Sequence, residues 1–193
     1  GLRTFNKYSP YPEETNRTFI SNIADIHLCP TKNSIMNLQN ENIKNNLYLV
    51  GNTVVDSFEL ISHISEPNNN ISELIKNKYI LVTLHRRENR GIKMKNMWDQ
   101  LNKLSDNYKF IYLVHPSLKE SKSYLSKNII KMDPVDYISM VILIKNCSGI
   151  ITDSGGLQEE AICSGKKVLV CRDTTERPET IESGWGKLVS TNI

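Results

Sequence analysis

The sequence predicts an α/β protein in which a parallel β-sheet is covered by helices on both faces. Short apolar runs of β character alternate with segments of helical periodicity along most of the 193 residues. Repeated βα units of this kind form parallel sheets. Polar clusters follow several of the apolar runs directly. Because such sheets bind their ligands beyond the carboxyl ends of the strands, we expect these clusters to share one site.

The first fifty residues contain two predicted helices and two predicted short strands. The predicted order is a helix over 13–24, a strand over 26–29, a helix capped by Thr31 and a strand over 47–50. Apolar residues at helical spacing predict the inward side of the first helix: Phe19, Ile20, Ile23 and Ala24.

A longer series of βα units is predicted after Gly51. A helix begins near residue 53, and residues 65–71, which include Pro67 and three asparagines, have the composition of an exposed loop. The strands predicted after that loop are 79–83, 110–114, 129–132, 150–151 and 167–170. The helices predicted between them cover residues 94–104 and 135–145 and a segment that begins after Ser154.

The stretch from Thr152 to Ala161 is the most informative one. An apolar run, a turn of small residues and a helix follow one another, so that unpaired N–H groups and a positive dipole end face any bound anion. Ser154 adds a hydroxyl, and Glu160 lies far enough along the helix to reach a hydroxyl such as that of a ribose. Two glycines before a helix are by themselves more typical of an ordinary βα connection.

Polar residues also follow three other predicted strands, and a further polar cluster lies near the start of the chain; these signals are less specific. Residues 85–90, His-Arg-Arg-Glu-Asn-Arg, follow a predicted strand and could bind a diphosphate and move a proton, although a solvated charge run explains them equally well. Residues 172–179 come one βα unit after the glycines, and His115 ends another strand. Residues 8–17 carry two carboxylates in a first helical turn, where they stabilise the helix without any chemistry.

Composition excludes several classes of protein. Hydrophobic residues make up 39% of the chain and the net charge is +3, spread along the sequence, which argues against a nucleic-acid partner. An apolar run of about 20 residues is absent, so we expect no membrane contact. The four cysteines form no Cys-x-x-Cys pair, which predicts free thiols in a reducing compartment, a cytoplasmic protein and no metal site.

Taken together, the motifs resemble those of the non-hydrolysing UDP-N-acetylglucosamine 2-epimerases. They run in the family's order over essentially the whole chain. The matching stretches are Gly1-Leu2-Arg3-Thr4, Tyr8 to Arg17, Gly51-Asn52-Thr53, His85 to Asn89, Asp153 to Glu160 and Arg172 to Glu179.

The resemblance implies a glycosyltransferase-B-like fold with the active site in the cleft between two Rossmann-like domains. Residues 1–50 would be the closing part of the first domain, and residues 51–193 a second, UDP-binding domain that lacks its C-terminal end. The chain would then be an internal fragment of a longer protein that forms homodimers at full length. The missing part of the first domain would leave the apolar side of the 13–24 helix exposed.

The resemblance also implies roles for individual residues. Glu13 and His85 match catalytic positions. The residues that match substrate contacts are Ser154, Gly155 and Gly156 at the diphosphate, Glu160 at the ribose, Arg177 at the UDP-sugar and Met140 at the uracil pocket, where an aromatic residue is common. Three further residues match contacts to a second, regulatory UDP-sugar: Arg86, Glu88 and His115.

The implied reaction inverts C2 of UDP-N-acetylglucosamine to give UDP-N-acetylmannosamine, for surface polysaccharide or amino-sugar synthesis. UDP is eliminated and added back after the sugar is protonated on the opposite face, and no cofactor is required. The family's remaining acid/base carboxylates have no counterpart in these 193 residues, so we expect little or no turnover by this chain alone. Two alternatives stay open: a retaining glycosyltransferase of the same architecture and a non-catalytic UDP-binding remnant.

Overall fold

A computed structural model describes residues 1–64, 66–67 and 69–193. The elements that it contains follow in chain order: α1 (Glu13–Ile23), β1 (His27–Cys29), α2 (Lys32–Asn40), β2 (Leu47–Leu49), α3 (Thr53–Ile64), α4 (Asn69–Leu74), β3 (Ile80–Thr83), α5 (Ile92–Leu104), β4 (Phe110–Leu113), α6 (Ser121–Tyr124), β5 (Ile130–Met132), α7 (Tyr137–Asn146), β6 (Gly149–Thr152), α8 (Gly155–Cys163), β7 (Val168–Val170), α9 (Pro178–Glu182) and β8 (Gly186–Leu188).

Six of the strands form one parallel sheet in the order β5-β4-β3-β6-β7-β8. The chain therefore builds outward from β3 in one direction and then returns to the other side of β3 with β6. This strand order is that of a doubly wound fold, and its reversal point lies between β3 and β6. The predicted α/β class with a parallel sheet is confirmed.

Hydrophobic side chains pack against both faces of this sheet. One face packs residues of α3, α7 and α8 against the sheet, among them Phe58, Val141 and Ala161. The other face is covered chiefly by α5, whose predicted apolar stripe at Met94, Met97, Trp98 and Leu101 is buried. Strands buried on both faces explain why the sequence of β4 is entirely apolar.

Capping residues set the starts of two helices. The Thr31 side chain accepts a hydrogen bond from the backbone N–H of Ser34, as predicted for α2. Asp136 accepts the equivalent bond from Ser139. This cap starts α7 at Tyr137, two residues later than the periodicity of the sequence indicated.

The first fifty residues contain a separate two-stranded parallel sheet, β1-β2. The side of α1 that was predicted to be inward is largely open to solvent, and Ile23 is 79% exposed. Phe19 and Ile20 on the same helix are exposed as well, because no described element packs over this side. The apolar spacing located the helix correctly, and the exposure agrees with the expectation from the resemblance.

Two parts of the chain differ from the predicted elements. The predicted loop over 65–71 gives way to α4 from Asn69, while Ser65 and Asn68 lie outside the described residues. After residue 172 the sequence predicted only a polar cluster, but the chain forms α9 and a last parallel strand, β8. The sequence missed α4, α9 and β8 because each is short and has little periodicity. None of the helices in the described ranges is long and apolar enough to cross a bilayer.

Leu101 on α5 provides a test of the packing on the second face, because its side chain is fully buried. Replacing Leu101 with alanine leaves a cavity, and we expect it to lower the free energy of unfolding by about 2–5 kcal/mol in urea denaturation. The matched control is Leu60→Ala on α3, where the side chain is 61% exposed and the change should stay within about 0.5 kcal/mol. Equal effects of the two substitutions would contradict this packing.

Candidate functional site

The site is organised around Asp153, a fully buried carboxylate at the end of β6. Its oxygens accept hydrogen bonds from the backbone N–H groups of His85 at 3.0 Å and Arg86 at 2.8 Å. They also accept one from the side-chain amide of Asn89 at 3.0 Å. The carboxylate therefore fixes the 85–90 loop, which follows β3, directly beside the turn that starts α8. The two motifs lie together at the point where the strand order reverses.

Asn89 extends this connection to the next strand. Its amide also donates to the carbonyl oxygen of Cys171, just after β7, at 2.9 Å. One buried side chain thus joins the loops that follow β3, β6 and β7. These bonds satisfy polar groups that burial would otherwise leave unpaired, which is why the loop holds a single arrangement.

The start of α8 has the features predicted for an anion site. Ser154 is its N-cap residue, and among the described residues its side chain makes no capping bond. A Cβ on Gly155 would come within 2.4 Å of Arg177 Nη1 and 2.9 Å of Glu176 Oε1, whereas a Cβ on Gly156 would meet nothing within 4 Å. A side chain on Gly155 would therefore have to displace the ends of the Arg177 and Glu176 side chains, whereas the space beside Gly156 is open.

A buried network of charges lies behind this turn. The side chain of Arg172 is 1% exposed, and it bonds to Glu176 at 2.6 Å and to Glu88 at 3.1 Å. Glu176 also pairs with Arg177 at 2.5 Å and lies 3.5 Å from Arg17 of α1. Burial disfavours ionisation of Glu176, but Arg172 and Arg177 overcome this and lower its pKa to about 2.

A cleft of about 610 Å³ separates the start of α1 from the loops after β3 and β4. It brings together five of the predicted site residues: Glu13, His85, Arg86, Glu88 and His115. Glu13 Oε1 lies 3.5 Å from Arg86 Nη1 across this cleft. The residues that matched catalytic positions and those that matched a regulatory site therefore line one cleft.

A smaller cavity of about 170 Å³ adjoins the cleft. Met140 and Ser154 line it together with His85 and His115, and the rest of its lining is largely apolar. His85 and His115 belong to both spaces, so their imidazoles stand where the cleft and the small cavity meet. Apolar walls with a few polar groups are typical of sites for small organic ligands.

The two imidazoles at this junction stack on each other. Their ring centroids are 5.2 Å apart and their planes differ by 16°. Burial lowers the pKa of His85 below its ordinary value, and nearby His115 and Arg86 lower it further, while Asp153 opposes the shift. This shift favours the neutral form of His85, in which one ring nitrogen is bare and can accept a proton.

Four predicted site residues lie on α8 or against it, outside the lining of both spaces: Gly155, Gly156, Glu160 and Arg177. Glu160 is buried on α8, and burial raises its pKa, although the nearby Tyr137 hydroxyl opposes this. Arg177 lies against Gly155, where its Nε is 2.8 Å from Glu159 Oε1. In this arrangement Arg177 is engaged with protein carboxylates.

Sequence reasoning missed the residues that hold the site together. Asp153 follows a buried strand beside a loop of N–H donors, which is a signal that the sequence does carry. Arg172 and Glu176 lie in the predicted polar cluster over 172–179, but the sequence did not indicate their burial, because charged residues are normally expected at the surface. Among the described residues, no group of three or more His, Cys, Asp or Glu could hold a metal ion.

The depressed pKa of Glu176 makes stability depend on pH. A carboxylate with a lower pKa in the folded state stabilises the fold above its unfolded pKa of 4.5 and loses that effect as the pH falls toward 2. We expect Glu176→Gln to cost on the order of 3 kcal/mol near pH 7 in denaturant unfolding. The cost should shrink steadily between pH 4.5 and 2.

The control for this measurement is Glu182→Gln, at an exposed position on α9. Its unfolding free energy should follow that of the unaltered chain at every pH. A Glu176→Gln variant whose deficit did not change with pH would show that the ionised carboxylate contributes nothing through its arginine partners.

The fold and these motifs are found in known proteins. A family model described as UDP-N-acetylglucosamine 2-epimerase matches residues 1–193. The UDP-N-acetylglucosamine 2-epimerase of Yersinia pestis is 40% identical over 211 residues, an alignment that covers 100% of this chain and 56% of that protein. This chain therefore spans little more than half the length of that relative.

Solved structures give the same result. The UDP complex of MnaA from S. aureus has a TM-score of 0.92 at 37% identity, covering 100% of this chain and 55% of that one. The UDP-GlcNAc 2-epimerase from Neisseria meningitidis bound to UDP-GlcNAc has a TM-score of 0.90 at 37% identity, covering 99% and 56%. These neighbours confirm the expected glycosyltransferase-B-like fold, and the chain belongs to the UDP-N-acetylglucosamine 2-epimerase family.

Proposed function

We propose that this chain binds the UDP moiety of UDP-N-acetylglucosamine and takes part in C2 epimerisation to UDP-N-acetylmannosamine. The observation that carries this proposal is the meeting of the 85–90 loop and the start of α8 through Asp153. A diphosphate at that point would face free helical N–H groups and a positive dipole end. Two relatives with the same fold hold UDP or UDP-GlcNAc.

The small cavity is the proposed place of the uracil. Met140 and its apolar neighbours would contact the faces of the base, and Ser154 and His85 lie where the phosphates would follow. Met140 offers no aromatic platform, so stacking contributes less here than an aromatic side chain would supply. Glu160 would bind the ribose and Arg177 the UDP-sugar once each has exchanged part of its present protein contacts for ligand.

The cleft is the proposed place of the sugar. Inversion at C2 removes a proton from one face and returns one to the other, which requires at least two acid/base groups. Glu13 and His85 line the cleft and are the candidates on this chain. Arg86, Glu88 and His115 are proposed contacts of a second, regulatory UDP-sugar, and they would lie beside the first ligand rather than at a remote site.

The wider organisation also belongs to the proposal. Residues 1–50 are assigned to the end of a first Rossmann-like domain and residues 51–193 to a second, UDP-binding one, and a homodimer is proposed for the full-length protein. Four free cysteines, three of them buried, support a reducing, cytoplasmic compartment. No specific observation favours a glycosyltransferase or a remnant without activity.

Assays of turnover distinguish the epimerase from the glycosyltransferase and from the inactive remnant. We expect the 193-residue chain alone to convert UDP-N-acetylglucosamine slowly or not at all. A chimera that restores the parts of the Yersinia pestis relative outside the alignment should interconvert the two UDP-sugars without any acceptor, as followed by anion-exchange chromatography. Glu13→Gln or His85→Gln in the chimera should lower kcat by ~10²-fold or more. Strict dependence on an acceptor sugar would favour the glycosyltransferase instead.

Binding of UDP tests the diphosphate position separately. A methyl group on Gly156 meets no protein atom within 4 Å, so Gly156→Ala should fold normally, yet it would stand in the open space beside the proposed phosphates. We expect at least a tenfold rise in Kd for UDP, about 1.4 kcal/mol, by calorimetry. The control is Gly149→Ala at the opposite end of β6, where the added carbon makes an ordinary 3.5 Å contact. Unchanged affinity in Gly156→Ala would place the phosphates elsewhere.

A further inference from the structure

The polar groups beside Nδ1 differ between the two stacked imidazoles, His85 and His115. A neutral imidazole carries one N–H donor and one bare acceptor nitrogen, and the partner of one nitrogen decides which form is present. His85 and His115 line both the cleft and the small cavity. The position of each proton therefore determines what the pair can offer to a ligand.

The partner of His85 is a carboxylate. Nδ1 of His85 lies 3.3 Å from Oδ1 of Asp153, whose side chain is fully buried. The other groups around that carboxylate are N–H donors from His85, Arg86 and Asn89. A carboxylate in such surroundings acts as an acceptor, so it favours a proton on Nδ1 of His85 and leaves Nε2 bare.

The group beside Nδ1 of His115 is a hydrogen-bond donor instead of an acceptor. Nδ1 of His115 lies 3.2 Å from the backbone nitrogen of Ser117, which donates to it. The Ser117 hydroxyl lies 2.8 Å from the same ring nitrogen. Because a backbone N–H can only donate, Nδ1 of His115 must be bare and the proton must be on Nε2.

We propose that Asp153 is a positioning residue for His85 and that the two stacked histidines are held in opposite tautomers. His85 then presents a bare Nε2, and His115 presents an N–H at its Nε2. The pair offers one acceptor and one donor side by side at the junction of the cleft and the small cavity. Its catalytic meaning rests on the proposed function, since the acceptor would be the base or proton carrier and the donor a phosphate ligand.

The lowered pKa of His85 is consistent with this assignment, because a tautomer is defined only for the neutral ring. Asp153, Arg86 and His115 are the charged or titratable groups that act on it. A neutral His85 with Nδ1 3.3 Å from a carboxylate oxygen resembles the orienting pair of an acid/base histidine in hydrolases, where the carboxylate selects the tautomer.

The direct test is histidine ¹⁵N NMR of the unaltered protein, about one pH unit above the ordinary histidine pKa of ~6.5. Long-range ¹H–¹⁵N spectra distinguish protonated from bare ring nitrogens, and single replacements of the four histidines assign the signals. We expect Nδ1–H with bare Nε2 in His85 and the reverse in His115. A proton on Nε2 of His85, or the same tautomer in both rings, would overturn the proposal.

Asp153→Asn tests the positioning role. Oδ2 receives donors from His85, Arg86 and Asn89, so the amide oxygen of the variant should occupy that place. Its NH₂ would then face Nδ1 of His85 and should abolish the Nδ1–H signature. The control, Asn89→Ala, removes one donor from the same carboxylate and should leave that signature in place. Persistence of Nδ1–H in a folded Asp153→Asn variant would contradict the assigned role.

Two measurements keep this inference separate from the proposed function. If Asp153→Asn does not fold, the spectrum of the unaltered chain decides the tautomers by itself. Calorimetry with UDP on the same sample tests the ligand. Opposite tautomers without UDP binding would uphold the histidine assignment and remove the proposed function. UDP binding with identical tautomers in the two histidines would support the proposed function and overturn the histidine assignment.

Discussion

The site depends on one buried side chain, the carboxylate of Asp153. It receives the backbone N–H groups of the loop after β3 and the amide of Asn89, and it stands at the entrance to α8. A buried carboxylate is tolerated only when donors surround it, so the loop cannot leave without exposing an unpaired charge. The same contacts that stabilise the carboxylate therefore hold His85 beside the start of α8. One set of hydrogen bonds therefore fixes both the loop after β3 and the position of His85.

A second buried arrangement connects this edge of the sheet to α1. Glu176 contacts Arg172 and Arg177 of its own segment and lies within reach of Arg17. Removing one partner from such a network is costly, because the others remain buried without compensation. The network also sets the position of Arg177 against Gly155. The network therefore connects α1 with the segment that follows β7.

Several elements of the site could be predicted from the sequence because they rest on local chemistry. The order of strand, small-residue turn and helix at residues 149–163 predicted the turn at the start of α8, and the apolar stripe of α5 predicted a core helix. The roles of Asp153 and Arg172 could not be found in this way. Their burial depends on loops that are far apart in the chain, and sequence patterns describe a charged residue only by its neighbours. For the same reason the sequence did not show that Glu13 and Arg86, which are far apart in the chain, line one cleft.

The sequence by itself determined the alternation of strands and helices, the parallel sheet, and the family through motifs in a fixed order. These features depend on periodicity and on residue type at short range. Only the tertiary structure decided the strand order, the reversal point between β3 and β6, and which motifs meet there. It alone placed the His85 imidazole beside the carboxylate of Asp153 and against the ring of His115, because contacts between segments arise when distant parts of the chain pack together.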